Sequence, residues 1–278
     1  NNGENPEGWS DLYVLDVSDA NPVITLTHNL FQGNAGGVKF SGDGQATLIN
    51  NAFIGQTGHA YSSGSALSIW GNLTAIHNTF AHNRGQECDP YWCKQDAIWI
   101  NSNHYPEPRR VVFTNTIIAD HKTGIVLCDG PVQMDHTLWY SNTANVLTDA
   151  VGCLGGVLTE TGHLEWPAAF AADGYHLTCD SFALQAGVDA GVRDDIDGEP
   201  RPQPAGTHPD LGADESPCAV AVSYTHLTLP TRAPRRRSGS SLPTPLLPAV
   251  IAVNCGSVTP STTVTTAPPT PCQPWMWP

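Results

Sequence analysis

"ITLTHNLFQGN" (residues 24–34) decides the fold of this chain, because it recurs. It returns as "ATLINNAFIGQ" (46–56), "LTAIHNTFAHN" (73–83), "VVFTNTIIADH" (111–121) and "VQMDHTLWYSN" (132–142). Each copy is a short alternating strand, a polar pair, an apolar or aromatic residue and a polar turn. Asn29, Asn51, Asn78 and Asn115 form a column that His136 completes, at spacings of 22, 27, 37 and 21 residues. Phe31, Phe53, Phe80, Ile117 and Leu138 follow two residues later, and His28, Asn50, His77, Thr114 and Asp135 come just before. A second strand follows each of the first four turns: "GGVKF" (36–40), "SALSI" (65–69), "DAIWI" (96–100) and "TGIVL" (123–127). The pairs Val38/Phe40, Leu67/Ile69, Ile98/Ile100 and Ile125/Leu127 have the period of two of a strand with one buried face.

A variable period with a constant strand pattern means units of fixed cross-section joined by loops of different length. No segment sustains the 3.6-residue period of a helix, and the many β-branched, Asn and Gly residues disfavour one. A leucine-rich repeat needs a third apolar position where Asn78 stands after Leu73 and Ile76. The pattern therefore predicts an all-β parallel β-helix, a solenoid of roughly five coils whose equal residues stack about 4.8 Å apart. Asn29, Asn51, Asn78 and Asn115 are then structural, bonding along their column and to turn carbonyls.

Composition limits the function. The net charge is −14, and residues 1–222 hold all 26 acidic residues but only 8 of the 12 basic ones, leaving that part at −18. Phosphate backbones and anionic lipid both require clustered Lys and Arg, so nucleic acid and charged membrane are excluded as partners. No apolar run reaches the ~18 residues of a membrane span. Eight cysteines without a CxxC pair point to disulfides in an oxidising compartment. Cys88 and Cys93, close together in one loop, are the expected pair, and Cys128 and Cys153, about one repeat apart, can lie on neighbouring coils. The chain opens on polar "NNGENPEGWSD" without a signal peptide and is expected to be a mature protein or a fragment.

The repeats resemble those of right-handed parallel β-helix proteins of the pectate-lyase-like superfamily. The segment after them, "DGYHLTCDSFALQAGVDAGVRDDIDGEPRPQPAGTHPDLGADE" (173–215), is more specific. It resembles the C-terminal end of bacterial choice-of-anchor Q β-helix proteins, with their Tyr-His-Leu strand, Asp-Gly-x-Pro-Arg turn and Asp-Ile-Gly-Ala-x-Glu strand. The chain departs from that family at Phe182-Ala183, where Pro-Ala is usual, and at Gln185, where an Asp is usual. The resemblance implies a right-handed coil over residues 1–216 with a closing segment at 173–215, in a secreted or surface-displayed bacterial protein. It implies no single activity, because the superfamily includes lyases, hydrolases, adhesins and purely structural proteins.

After Val222 the composition changes: "SYTHLTLPTRAPRRRSGSSLPTPLLP" is basic and rich in Pro, Ser and Thr, and residues 223–278 hold 11 of the 23 prolines. Residues 217–278 are expected to be a disordered tail. It reads as a stalk toward a cell-wall anchor. Alternatively, because "SYTHLTLPT" resembles a translated sequencing adapter, it is not evolved sequence from about Ser223 onward.

Binding residues concentrate in loops carried by a rigid scaffold. The loops "RGQECDPYWCKQD" (84–96) and "NSNHYPEPRR" (101–110) make the longest coil. There Asp89, Tyr91, Trp92, Lys94, Asp96, His104 and Tyr105 are candidate sugar-binding residues: aromatic faces pack on sugar rings and carboxylates bind hydroxyls. In "DDIDGEPRP" (194–202), Asp194, Asp195 and Asp197 are candidate calcium ligands, but no bidentate Glu or flanking helix completes an EF-hand loop. The stretch reads rather as a closing turn in which Gly198 takes a positive φ and Arg201 is held by Asp210 or Glu215, protecting the end of the coil. Apart from that calcium no cofactor is expected, and no catalytic residue is assigned. The expected function is a monomeric extracellular or cell-surface module, part of a larger chain, that binds or adheres to a carbohydrate or other cell-surface polymer. The alternatives are a polysaccharide lyase or glycoside hydrolase acting through loops 84–110, and a passive stalk.

Overall fold

Strands 3–12 residues long, alternating apolar and polar, bury one face each, and this chain pairs them all in parallel. The computed structural model describes residues 15–18, 22–57, 65–84, 96–101, 109–148, 150 and 153–218. They contain thirteen strands and no helix: β1 (Leu15–Ser18), β2 (Val23–Thr27), β3 (Leu30–Gln32), β4 (Val38–Ile49), β5 (Ala52–Ile54), β6 (Leu67–Ile76), β7 (Thr79–Ala81), β8 (Asp96–Asn101), β9 (Val111–Ala119), β10 (Thr123–Asp129), β11 (Pro131–Tyr140), β12 (Ala144–Leu147) and β13 (Val157–Glu165). All belong to one open 13-stranded sheet. The chain divides into two compact units, Asn1–Tyr224 and Thr225–Pro278. The second, like Cys88, Cys93, Asp89, Tyr91, Trp92, Lys94, His104 and Tyr105, lies outside the described residues.

Pairing runs in three ladders. The first joins β2, β4, β6, β9, β11 and β13 through Ile24, Ala46, Leu73, Val111, Val132 and Leu158. The second joins β3, β5 and β7 to the far ends of β9, β11 and β13. The third joins β1, β4, β6, β8, β10 and β12, and sets Val38/Phe40, Leu67/Ile69, Ile98/Ile100 and Ile125/Leu127 in register. The long strand β4 serves two ladders, its register shifting between Ser41 and Gln45. Apolar residues from all three ladders meet in one core, in which Phe40, Leu48, Phe53, Phe80, Ile98 and Phe113 are at most 1% exposed. Backbones approach so closely that a Cβ at Gly37 would collide with the Ala66 carbonyl.

The register corrects the columns read from sequence. Counting from its first residue, each 11-residue copy has a left-handed residue at position five: His28, Asn50, His77, Asn115 and His136, with φ between 52° and 56°. Position ten is also left-handed in Gly33, Gly55, His82, Asp120 and Ser141. Asn115 and His136 are thus out of phase with Asn29, Asn51 and Asn78. Thr116 and Thr137 take the Asn78 position, because Thr79 pairs with Ile117 and Thr116 with Thr137. The bore column is accordingly Phe31, Phe53, Phe80, Ile118 and Trp139, not Ile117 and Leu138. Phe31, Phe53 and Phe80 stack with ring centroids 4.7 and 4.9 Å apart. The Thr114 and Asp135 positions likewise belong one residue before the left-handed column.

Amides at position six close the corner. Asn51 Oδ1 accepts from the Asn29 backbone N–H, and Asn78 Oδ1 from that of Asn51. The Asn78 side chain donates to Leu48 O and Ile76 O. A second polar ladder occupies position eleven: Asn34, Gln56, Asn83, His121 and Asn142. These groups satisfy corner carbonyls and N–H groups that the β ladders leave over.

Candidate functional site

Each ladder has an outer face, and two of the three are covered in part. Over the second ladder lies the closing segment. Ile117, Ala119 and Leu138 pack on Ala168, Leu177, Ala183, Leu184 and Leu211, and Ala52, Ile54 and Ala81 on Tyr175 and Ala213. The left-handed corner column serves as its dock. Asn50 Nδ2 donates to Asp194 O; Asn115 Nδ2 donates to Val188 O; Val188 N donates to Asn115 Oδ1. Residues 166–216 are therefore a strap along the side of the ladders, not a lid over their end. The apolar outer positions of the short strands attract it there. Two disulfides support this part of the chain. Cys128–Cys153 holds a covering segment over Trp99 and Val126 on the third ladder, and Cys179–Cys218 ties the strap to itself.

The first ladder's outer face is different. It carries Thr25, Thr47, Thr74, Val112, Gln133 and Thr159 in one row and Thr27, Ile49, Ile76, Thr114, Asp135 and Thr161 in the next. These side chains are half-buried or exposed. A shallow groove of about 290 Å³ runs over Val112, Thr114, Gln133, Asp135, Thr159 and Thr161. Hydroxyls, one amide and methyl groups repeat at the strand spacing of about 4.8 Å. Asp135 is the groove's carboxylate. It accepts from Thr161 Oγ1 at 2.7 Å and sits 2.8 Å from His136 Nδ1, and the Thr161 bond foremost, then His136, hold its pKa below the usual carboxylate range. His136 was read from sequence only as a structural column member, and its adjacency to Asp135 across a left-handed turn was the missed signal.

Where the second ladder passes to the third is another hollow of about 180 Å³, lined by Tyr140, Ser141, Asn142, Asn145 and Glu165. Tyr140 is 37% exposed, and Asn145 Nδ2 donates to Glu165 Oε1.

Of the loop residues proposed from sequence, Asp96 alone lies among the described residues. Asp96 begins β8 at 1% exposure, so its carboxylate does not reach an open surface as sugar binding would require. In "DDIDGEPRP" the three aspartates diverge. Asp195 is fully buried and accepts from the N–H groups of Asp197, Glu199 and Glu215, which makes it the hub of a turn in which Gly198 has φ 83°. Asp194 faces His28 Nε2 at 3.4 Å, and Asp197 faces His176 Nε2 at 2.7 Å. The trio therefore forms no shared calcium cage, because its carboxylates serve three different partners. Arg201 is buried, bonding Glu215 Oε2 at 2.8 Å and the carbonyls of Asp210, Gly212 and Ala213.

The chain matches no protein-family model, no curated protein and no solved structure. Among the described residues no helix is long and apolar enough to cross a membrane.

Proposed function

We propose that the chain is a right-handed parallel β-helix module of the choice-of-anchor Q type, secreted or displayed on a bacterial surface, that binds an extended polysaccharide without cleaving it. One observation carries this reading: among the described residues nothing covers the first ladder's outer face, and that face carries periodic hydroxyl, amide and methyl groups around the single carboxylate of Asp135. Sugar hydroxyls exchange hydrogen bonds with Thr and Gln side chains, and sugar C–H faces pack on Thr and Val methyls. A repeating polymer matches a repeating surface, so weak contacts add along one chain. The face is built on paired strands, so its groups are already ordered, which lowers the ordering cost of binding.

Affinity electrophoresis through gels containing neutral or acidic polysaccharides tests it. The chain is expected to be retarded by at least one polymer, and Gln133→Ala with Thr114→Ala is expected to relieve the retardation without lowering Tm. Unretarded migration in every gel would favour a passive stalk.

The enzymatic alternative has one observation in its favour, the Asp135–His136 pair at the groove. Glycoside hydrolysis ordinarily requires two carboxylates flanking the bond, and the groove is lined by one. Release of reducing ends or unsaturated products from polygalacturonate or alginate, abolished by His136→Ala, would replace the binding reading by the enzymatic one.

A further inference from the structure

Away from the open face, the strap brings together side chains that the binding role does not use. His176, Asp197 and Asp214 come from three separate passes of the closing segment, yet each offers a ligand atom, and these atoms lie within 4.8 Å of one another. His176 Nε2 is 2.7 Å from Asp197 Oδ2 and 4.0 Å from Asp214 Oδ1. Two ligands about 2.1 Å from a tetrahedral ion stand about 3.4 Å apart, which falls between these two separations.

Three further features point to a cation. The Asp214 side chain is 7% exposed; its Oδ2 accepts from the Leu177 N–H, and its Oδ1, without a hydrogen bond among the described residues, lies 4.0 Å from His176 Nε2. Asp173 Oδ2 lies 2.6 Å from His176 Nδ1, on the far side of the ring. Nε2 shares a proton with Asp197 at 2.7 Å; a cation binding here displaces that proton while Asp173 keeps the Nδ1 proton, the carboxylate–histidine arrangement that orients a metal-binding imidazole. The local field is negative: Asp173, Asp197 and Asp214 surround His176, and Asp195 stands in the same turn as Asp197. The nearby Arg201 is already committed to Glu215 and three carbonyls.

We propose that His176, Asp197 and Asp214 bind one divalent transition cation of the zinc class, with Asp173 orienting the histidine. An imidazole nitrogen among the ligands favours such an ion over calcium or magnesium, which prefer oxygen alone. His176 and Asp197 are partly open, with side-chain exposures of 35% and 46%, so solvent completes the coordination shell. The ion pins the Tyr175–His176 bend, the Asp195–Gly198 turn and the Asp214 pass to one another, so it acts as a staple for the strap.

Isothermal titration of the full chain with ZnCl₂ tests the proposal, and Co²⁺ absorption supplies a spectroscopic readout. One saturable site is expected, and at a hundredfold excess over Kd the Tm rises by about 5–10 °C. Asp197→Asn and His176→Gln are expected to abolish that site, and Asp173→Asn to weaken it by about 10–100-fold. Asp194→Asn, outside the cluster, is expected to leave it unchanged. Asp197 is half-exposed, so Asp197→Asn retains the fold and carries the test even if Asp214→Asn fails to fold. Zinc binding that survives both Asp197→Asn and His176→Gln, absence of a saturable site, or a preference for CaCl₂ over ZnCl₂ would overturn the proposal.

Discussion

Replacing Arg201 by Met tests whether the strap is held by a buried ionic centre. The Arg201 and Glu215 side chains are both 0% exposed. Arg201 gives four hydrogen bonds, to Glu215 and to the carbonyls of Asp210, Gly212 and Ala213. Glu215 keeps only the N–H donors of Gln203 and Asp210 once the guanidinium is gone. Removing one partner of a buried pair costs about 3–5 kcal/mol, mostly from the charge left behind. Met fills the volume, so the cavity contribution is small. A loss of about 4 kcal/mol lowers Tm by about 10 °C in a unit of this size. The assay is thermal and urea unfolding followed by circular dichroism. Arg201→Met/Glu215→Gln is expected to recover part of the loss, since no unpaired charge then remains. Polysaccharide retardation below the lowered Tm is expected to persist, because the open face lies on another ladder. A Tm shift below about 2 °C, or a double variant no better than the single one, would refute the buried-pair argument.

Two other perturbations follow from the corners. Asn78→Ala removes an amide that serves four polar groups at 0% exposure and is expected to cost about 3 kcal/mol in urea unfolding, against less than about 1 kcal/mol for Asn29→Ala at the ladder's exposed end; equal costs would mean the amides do not act as a ladder. His121 is buried between Asn83 and Asn142, and burial lowers its pKa to about 3 despite the Asn142 bond. The unfolded chain takes up that proton below pH 6.5 and the fold does not, so this contribution to stability is complete above pH 6.5 and falls as pH drops toward 3. Wild type is therefore expected to lose about 3 kcal/mol relative to His121→Asn between pH 7 and pH 4, and parallel pH profiles would refute it.

The strands were legible because their inward residues alternate with nothing to confuse the period. Val38/Phe40 through Ile125/Leu127 lie in register as written. The corner columns were misread for a specific reason. Asn occupies position six in the first three copies and position five in "VVFTNTIIADH", so matching by residue type slipped the phase by one. A strand side chain moved by one residue changes face, which is why Ile117 and Leu138 turned out to face the strap. The position-eleven ladder stood at the end of every quoted copy, but Asn, Gln and His differ enough in type to pass for ordinary turn residues. The His176–Asp197–Asp214 group had no local signature, since its members come from passes 21 and 17 residues apart.

The side placement of the strap also had a sequence signal. The short strands "AFI" and "TFA" and the end of β9, "TIIA", are largely apolar on both faces, and a strand buried on both sides needs a cover. That use of the strap leaves the stack's C-terminal edge to protect itself. Among the described residues β13 pairs only with β11, and Leu154, Val157 and Trp166 around it are exposed. The position that holds Leu26, Leu48, Ala75, Phe113 and Met134 in the earlier strands holds Glu160 in β13. Glu160 accepts from Trp139 Nε1 and meets His163, and Glu165 takes the bore-column position beside Trp139. An acid directed toward the core makes a further apolar strand a poor neighbour, because its addition would bury the charge. The edge is thus blunted by charge where the strap does not reach, and the function assigned to "DDIDGEPRP" as an end guard belongs instead to Glu160 and Glu165.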